Sequence, residues 1–330
     1  MGIRREQQLP VIRPTLERTY GLMAETLLFR TNDPDLLAAA DASFARFPLP
    51  TDGRLPLVVT LLSEAPRHGD GEGDGRPARA AQRIQGDLYF ITRGAREIAI
   101  VDGARGVATG FVSRETAADQ ADARYSFIEA MSLSMLARNR GYLVMHAAGV
   151  VRNGVGVAIG GPAGSGKTTL AMACARRGFG VFAEDVIFVR VQPATIELWG
   201  QPWTQRLLPD TRDLFPELAG IEGRRQPNGE VKIEVDLDEV LPGRAVPCAP
   251  AGPIVQLERG TDGPTRIEAI EDDLDLLWAW DDGWTRDHER AAARLAAQQR
   301  YRLHMNGAPD EAVDLLEVLL DGPGGVASRG

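Results

Sequence analysis

Apolar residues gather in several short runs set between polar stretches, "LPLVVTLL" (55–62), "DLYFITRG" (87–94) and "EIAIVDG" (97–103), all rich in β-branched or aromatic residues. That pattern predicts strands. Between the first two, "HGDGEGDGRPAR" (68–79) carries no large apolar residue and reads as a mobile loop. A calcium loop does not fit it, because Glu72 stands where Asp or Asn is needed and Ala81 stands where the closing bidentate Glu belongs. From about 119 to 139, Phe127, Ile128, Met131, Met135 and Leu136 recur at near-helical spacing, and Gly141 follows as a C-cap. One connecting helix is expected there. Two β-rich runs, "YLVMHAAGVV" and "GVGVAIGG", then meet at Asn153-Gly154, the dipeptide favoured in type I′ hairpin turns. Beyond a Pro- and Arg-rich stretch (202–229), "EVKIEVDL" and "GPIVQLERG" read as strands. The regions 286–304 and 309–320 read as helices, the second opening on Pro309, Asp310 and Glu311.

These elements predict an α/β protein. Residues 1–120 form a smaller, mostly β or α+β module, 121–322 a domain with a mixed sheet, and 323–330 a disordered tail. At 330 residues the chain buries a substantial core. Its 46 acidic against 37 basic residues give a net charge of -9, so no global positive field draws in a phosphate backbone, and nucleic acid is not an expected partner. The two cysteines, Cys174 and Cys248, lack metal-ligand spacing, and no secretory segment precedes them, which fits a reducing cytoplasm. No apolar run approaches the roughly 18 residues of a membrane-spanning helix, so no membrane is expected. The basic residues are arginines with two exceptions, Lys167 and Lys232.

Lys167 lies in the most informative segment. Gly161, Pro162, Ala163, Gly164, Ser165, Gly166, Lys167 and Thr168 satisfy G-x-x-x-x-G-K-[ST], with Thr169 next, between an apolar strand (155–159) and a helix-compatible run. Glycines let backbone N–H groups turn inward on nucleotide phosphates, and the helix N-terminus adds partial positive charge. Lys167 is expected on the β- and γ-phosphates of ATP and Thr168 on Mg²⁺. The plain alternative is a Gly-rich turn with no nucleotide. Past it, Glu184 and Asp185 stand together between "GVFA" and "VIFVR". Adjacent acids between two apolar β segments are costly without a cation or hydrogen-bond donors. If "VFA" pairs beside the loop strand, one acid holds Mg²⁺ and the other accepts a proton from an attacking hydroxyl. Otherwise the pair is a solvated surface turn. Cys174, on the helix after the loop, reads as core.

The run from His146 to Val189 resembles the catalytic core of HPr serine kinases, whose P-loop fold is shared with phosphoenolpyruvate carboxykinase. The resemblance covers about 45 residues and implies an HPr kinase-like P-loop domain and an ATP-dependent phosphotransferase. His146, Lys167, Thr168 and Asp185 match by position. His146 is thereby implied beside the acids, tuning proton transfer, although a strand-end cap is its plain reading. The resemblance makes the first acid the proton acceptor and leaves Asp185 to the metal. Glu184 departs here, since the family has Asp, and the extra methylene shifts the carboxylate. The Gly-rich signature with E-I-R-G is not present. Instead "IELWGQPWTQRLLPDTRDLF" places Gly200, Pro202 and Arg206 as in divergent members of the family, including kinases of peptides encoded in lasso-peptide clusters.

Arg206, Arg212, Arg224 and Arg225 fall in or beside this variable segment, where a kinase needs charge for phosphate or an acidic acceptor, and Lys232 follows. For any single arginine the solvated surface is the simpler reading. Trp199 and Trp203 either grip a peptide or belong to the core. The expected partner is a peptide or small-protein substrate phosphorylated on Ser or Thr; a homo-oligomer stays open. A small-molecule alcohol as acceptor and a non-catalytic nucleotide sensor or maturation partner are the rival functions.

Overall fold

The computed structural model describes residues 12–51, 53–64, 80–226, 229–260, 262–271 and 285–321. The loop read at 68–79 and the tail read at 323–330 lie outside them. The chain divides into two compact units, Met1–Asn139 and Arg140–Gly330. The helical run expected to open the second domain thus belongs almost entirely to the first.

In the first unit, seven strands line up as β1-β2-β3-β7-β6-β5-β4: β1 (Leu16–Leu22), β2 (Glu25–Thr31), β3 (Leu57–Glu64), β4 (Ala81–Gln85), β5 (Leu88–Arg93), β6 (Glu97–Asp102) and β7 (Val107–Ser113). β3 is parallel to both β2 and β7, and the other pairings are antiparallel. Period-two alternation is clean in β6, where Glu97, Ala99 and Val101 are buried while Ile98 and Ile100 are exposed. Helix α1 (Pro34–Phe44), capped by Asp33, packs against β1 and β2. The expected single helix over 119–139 is interrupted: α2 (Arg114–Ala118), α3 (Gln120–Ala123), a π-helical segment (Arg124–Glu129) and α4 (Ala130–Arg140) follow one another. Buried Arg93 explains part of this. Its guanidinium binds Asp122 at 2.8 Å through Nη2 and stacks on the Phe127 ring at 5.2 Å, fixing two successive turns.

In the second unit, β8 (Leu143–Arg152) and β9 (Val155–Gly160) form the expected hairpin. Asn153 and Gly154 both have positive φ, 51° and 77°, as a type I′ turn requires. Helix α5 (Lys167–Arg176) leaves the loop after β9. Strands β10 (Gly180–Ala183) and β11 (Val186–Val191) both pair antiparallel to β8, one after the other along its length, and β12 (Ile196–Trp199) follows β11. A three-stranded sheet of β13 (Thr204–Leu207), β14 (Gly223–Arg225) and β15 (Val231–Asp236) comes next, then α6 (Leu237–Val240). β16 (Cys248–Arg259) runs parallel to β9 and pairs with β12, which closes a circuit of pairings through β8, β9, β16, β12 and β11.

Helix α7 (Arg286–Ala296) is shorter than the helix expected over 286–304. Residues Arg300–Met305 are instead β18, parallel to β16, with β17 (Arg266–Ala269) on its outer edge. Leu303 and Met305 enter the core as alternate residues of that strand. Helix α8 (Asp310–Asp321) closes the unit, tied to the hairpin by Arg152, which pairs with Asp321 at 2.6 Å and Glu317 at 3.2 Å. One apolar cluster gathers α5 and α8 against β9, β16 and the inner face of the small sheet; a second gathers β11, β12 and α7. Among the described residues no helix is long and apolar enough to cross a membrane.

Candidate active site

The loop between β9 and α5 has the geometry its glycines require. Gly161, Gly164 and Gly166 take φ of 149°, 78° and 98°. A Cβ at Gly161 would stand 2.5 Å from the carbonyl oxygen of Leu257, so the close passage of β16 permits glycine alone there. Gly166 is the N-cap of α5 and offers no side chain to the first N–H groups of the helix. Orphan donors at a helix N-terminus suit an anion. Ser165 is buried with its Oγ unsatisfied, while Pro162, Ala163 and Gly164 form the exposed arc of the loop. Lys167 is 7% exposed and folds back on the loop, its Nζ donating to the carbonyls of Gly161 at 2.9 Å and Pro162 at 3.2 Å. Burial pushes the pKa of this ammonium down, Asp185 and Glu184 oppose that, and Lys232 adds to it.

The acids reach this loop by a route other than the expected pairing of "VFA" beside the loop strand. "VFA" does not pair beside β9; β8 lies between them, with β9 on one edge and β10 and β11 on the other. Glu184 and Asp185 interrupt the β10–β11 edge where β8 passes Ala147 and Ala148, which face Gly160 and Ile159 of β9. Two strand spacings, about 10 Å, therefore separate the acids' backbone from the start of the loop, a gap that side chains bridge over two small alanines. Gly200 shapes the same place. A Cβ on it would fall 2.1 Å from the carbonyl oxygen of Phe182, so the chain after β12 crosses in contact with the strand that delivers Glu184.

At the bend between β10 and β11 the two acids part company. Glu184 is 8% exposed; the Thr168 hydroxyl donates to its Oε1 at a long 3.4 Å, and Arg206 approaches its Oε2 at 3.6 Å. Burial raises its pKa to about 7, with Asp185 adding to the shift and Arg206, Lys232 and Thr168 opposing it. Asp185 is 47% exposed and meets His146 Nδ1 at 3.2 Å. Arg206 also reaches Glu234 at 3.4 Å, so one guanidinium links two carboxylates.

His146, Lys167, Thr168, Glu184, Asp185, Arg206 and Lys232 thus share one neighbourhood. Other candidates fall away from it. Arg212 donates to the Ile221 carbonyl, Arg225 to that of Gly229 at 3.0 Å, and Trp199 is buried with its Nε1 on Glu197 at 3.0 Å. Cys174 is fully buried and its thiol is pushed up by burial, as expected of a core residue. One residue was missed. Arg259, at the end of β16, brings Nη1 to 3.6 Å from where a Cβ on Gly166 would be, which puts a guanidinium at the mouth of the loop. Only the register of β16 beside β9 reveals it.

Among the described residues no group of three His, Cys, Asp or Glu side chains is arranged to hold a metal ion alone. That is compatible with magnesium, which is typically held by one or two carboxylates together with substrate phosphates and water. Thr168 and Glu184, which meet at 3.4 Å, would supply the protein's share of such a set, and the uncapped helix start and unsatisfied Ser165 hydroxyl suit a polyphosphate.

No family model matches the chain, and no curated protein does. Among solved structures it is similar to the HPr(Ser) kinase/phosphatase from Coxiella burnetii, at 14% identity and a TM-score of 0.29, over 53% of this chain and 93% of that one.

Proposed function

We propose that the second unit is an ATP-dependent kinase whose acceptor is a hydroxyl, with Ser or Thr of a peptide or small protein as the leading substrate. The observation that carries this reading is the meeting of the loop hydroxyl of Thr168 with the buried carboxylate of Glu184, while Asp185 and His146 form a second, open pair one residue away. A loop that only held a nucleotide would not need the second pair.

The pattern favours a division of roles different from the one implied by the family resemblance. Glu184 and Thr168 take the magnesium side, and Asp185, which an acceptor can reach, takes the proton side with His146 orienting it. Mg·ATP, when bound, supplies the transferable phosphoryl group and the charge that draws it into the loop. Lys167, now on the Gly161 and Pro162 carbonyls, would turn to phosphate oxygens, and Asp185 would accept the proton that the acceptor hydroxyl loses on taking the phosphoryl group, with ADP as the leaving group.

The test is transfer itself. Purified protein with Mg·ATP is offered a Ser-containing peptide encoded by a neighbouring gene, and mass spectrometry reads one added phosphoryl group per ATP consumed. Transfer to a small alcohol instead would redirect the acceptor assignment, and nucleotide binding with transfer to no acceptor would favour a sensor.

A further inference from the structure

The seven-stranded sheet of the first unit uses its two faces differently. Helices take the face on which the Tyr20 hydroxyl of β1 donates to Asp41 of α1 at 2.7 Å and Arg93 of β5 reaches Asp122 of α3 at 2.8 Å. By strand alternation the opposite face carries Leu88 and Phe90 of β5, Ile98 and Ile100 of β6, and Val107 and Phe111 of β7. Leu88 is 37% exposed there, and Ile98, Ile100 and Val107 are each 39% exposed. Leu62 of β3, beside Phe111, is buried and marks where the open patch ends. A sheet face left to water is normally polar. A contiguous apolar one marks an interaction surface.

The register shows what an occupant must match. One row crosses the sheet from Arg83 on β4, through Phe90, Ile100, Thr109 and Thr60, to Arg30 and Glu17 on β2 and β1. The next row runs Leu88, Asp102, Val107, Val58 and Leu28. β7 is the fourth strand of the seven, so a two-fold axis laid along it turns each row back onto itself. Arg83 then faces Glu17 of the second copy, Phe90 faces Arg30, Leu88 faces Leu28, and Val107 and Thr109 meet their own counterparts. Asp102, an acid within the patch, already holds Arg105 at 2.8 Å. Packed sheets cross at about 30°, which loosens these matches at the edges and keeps them at the centre.

The size also fits a second copy. Seven strands spaced about 4.8 Å apart and about 20 Å long present roughly 700 Å² in projection, and side-chain relief adds to that, against roughly 800 Å² per partner in a standard interface. An apolar centre with charges at the rim is the usual anatomy of such a surface. We propose that this face is a dimer interface, in which two copies of the chain pack the open sheets of their first units together around a two-fold axis along β7.

Sedimentation velocity on the full chain, from roughly 0.1 to 100 µM, tests this directly, and a monomer–dimer equilibrium with a dissociation constant at or below about 10 µM is the expected result. Ile100→Glu sets a carboxylate in the middle of the interface on both copies and should raise that constant about a hundredfold or more. Val318→Glu, at an exposed position of α8, should leave it within about threefold. Arg83→Glu should weaken the dimer about tenfold, and adding Glu17→Arg should restore it to within about threefold, a rescue that damage to the sheet does not produce. Thermal melts followed by circular dichroism check that each variant folds. Should Ile100→Glu fail to melt cooperatively, Ile100→Thr, which keeps a β-branched strand residue, takes its place with an expected weakening of about tenfold. A chain that stays monomeric over this range, a dimer that the Ile100 variant leaves intact, or a charge reversal without rescue overturns the interface.

Discussion

The floor and the rim of the candidate site are built from consecutive residues and have opposite physics. On the floor, Glu184 is buried against Thr168 and Arg206, and its proton affinity is raised because no cation fully compensates the lost solvation. On the rim, Asp185 is half exposed and paired with His146 across the β8–β11 register. Both residues sit at the bend between β10 and β11, which sends one side chain inward and the other outward. On the proposed reading these two environments carry separate tasks, the inner acid serving the cation and the outer one the substrate.

The hardest blow to both sides is Lys167→Ala. It removes the one cation seated inside the loop, and loss of a charge-stabilising donor at a developing transition state costs about a factor of 10² to 10³ or more in rate. Transfer assays on the variant should show that loss together with weaker Mg·ATP binding. The comparison itself is sharpened by the two acids. Asp185→Asn should bind Mg·ATP nearly as wild type yet lose transfer by about 10² to 10⁴, the usual contribution of a general base. Glu184→Gln should instead lose the magnesium dependence of nucleotide binding. If calorimetry finds the opposite pattern, floor and rim exchange roles and Asp185 returns to the metal. Arg259→Ala is milder. An exposed guanidinium at the loop mouth adds one charge-assisted contact, so nucleotide affinity should fall about tenfold.

What could be read in the sequence was local. The loop, its strand and its helix are fixed by eight contiguous residues, three of them glycines at positive φ, and Asn153-Gly154 announces the hairpin within a single turn. The adjacent acids were visible as a polar interruption between apolar runs. Non-local pairing was not visible. Residues 300–305 continue an amphipathic run begun by α7, and only the parallel partner β16 makes them a strand. Arg259 gains its place from the same strand. The insertion of β8 between the acids and β9 could not be inferred from spacing, because β10 and β11 use one edge of β8 in succession, an order that two short apolar runs do not encode. Lys232 stood out for its rarity alone, and the alternation of β15 then set its face.

The smallest expected effect concerns stability and needs no substrate. With its pKa near 7 in the folded protein against an ordinary value of 4.5, Glu184 keeps its proton in the native state over a range where the unfolded chain has released it. Unfolding is then favoured as pH rises. The native state is most stable with respect to this group below about pH 4.5, loses that advantage up to about pH 7, and levels off above it. The full cost is roughly 3 kcal/mol, at about 1.4 kcal/mol per unit. Glu184→Gln removes the titration, so in magnesium-free buffer its melting temperature relative to wild type should rise between pH 5 and pH 8, by several degrees for a unit of this size. Saturating magnesium and nucleotide should narrow the gap, since a cation compensates the buried charge that glutamine lacks. A difference in melting temperature that stays constant with pH would mean that Glu184 is ionised in the free protein, and the contrast between floor and rim would lose its electrostatic basis.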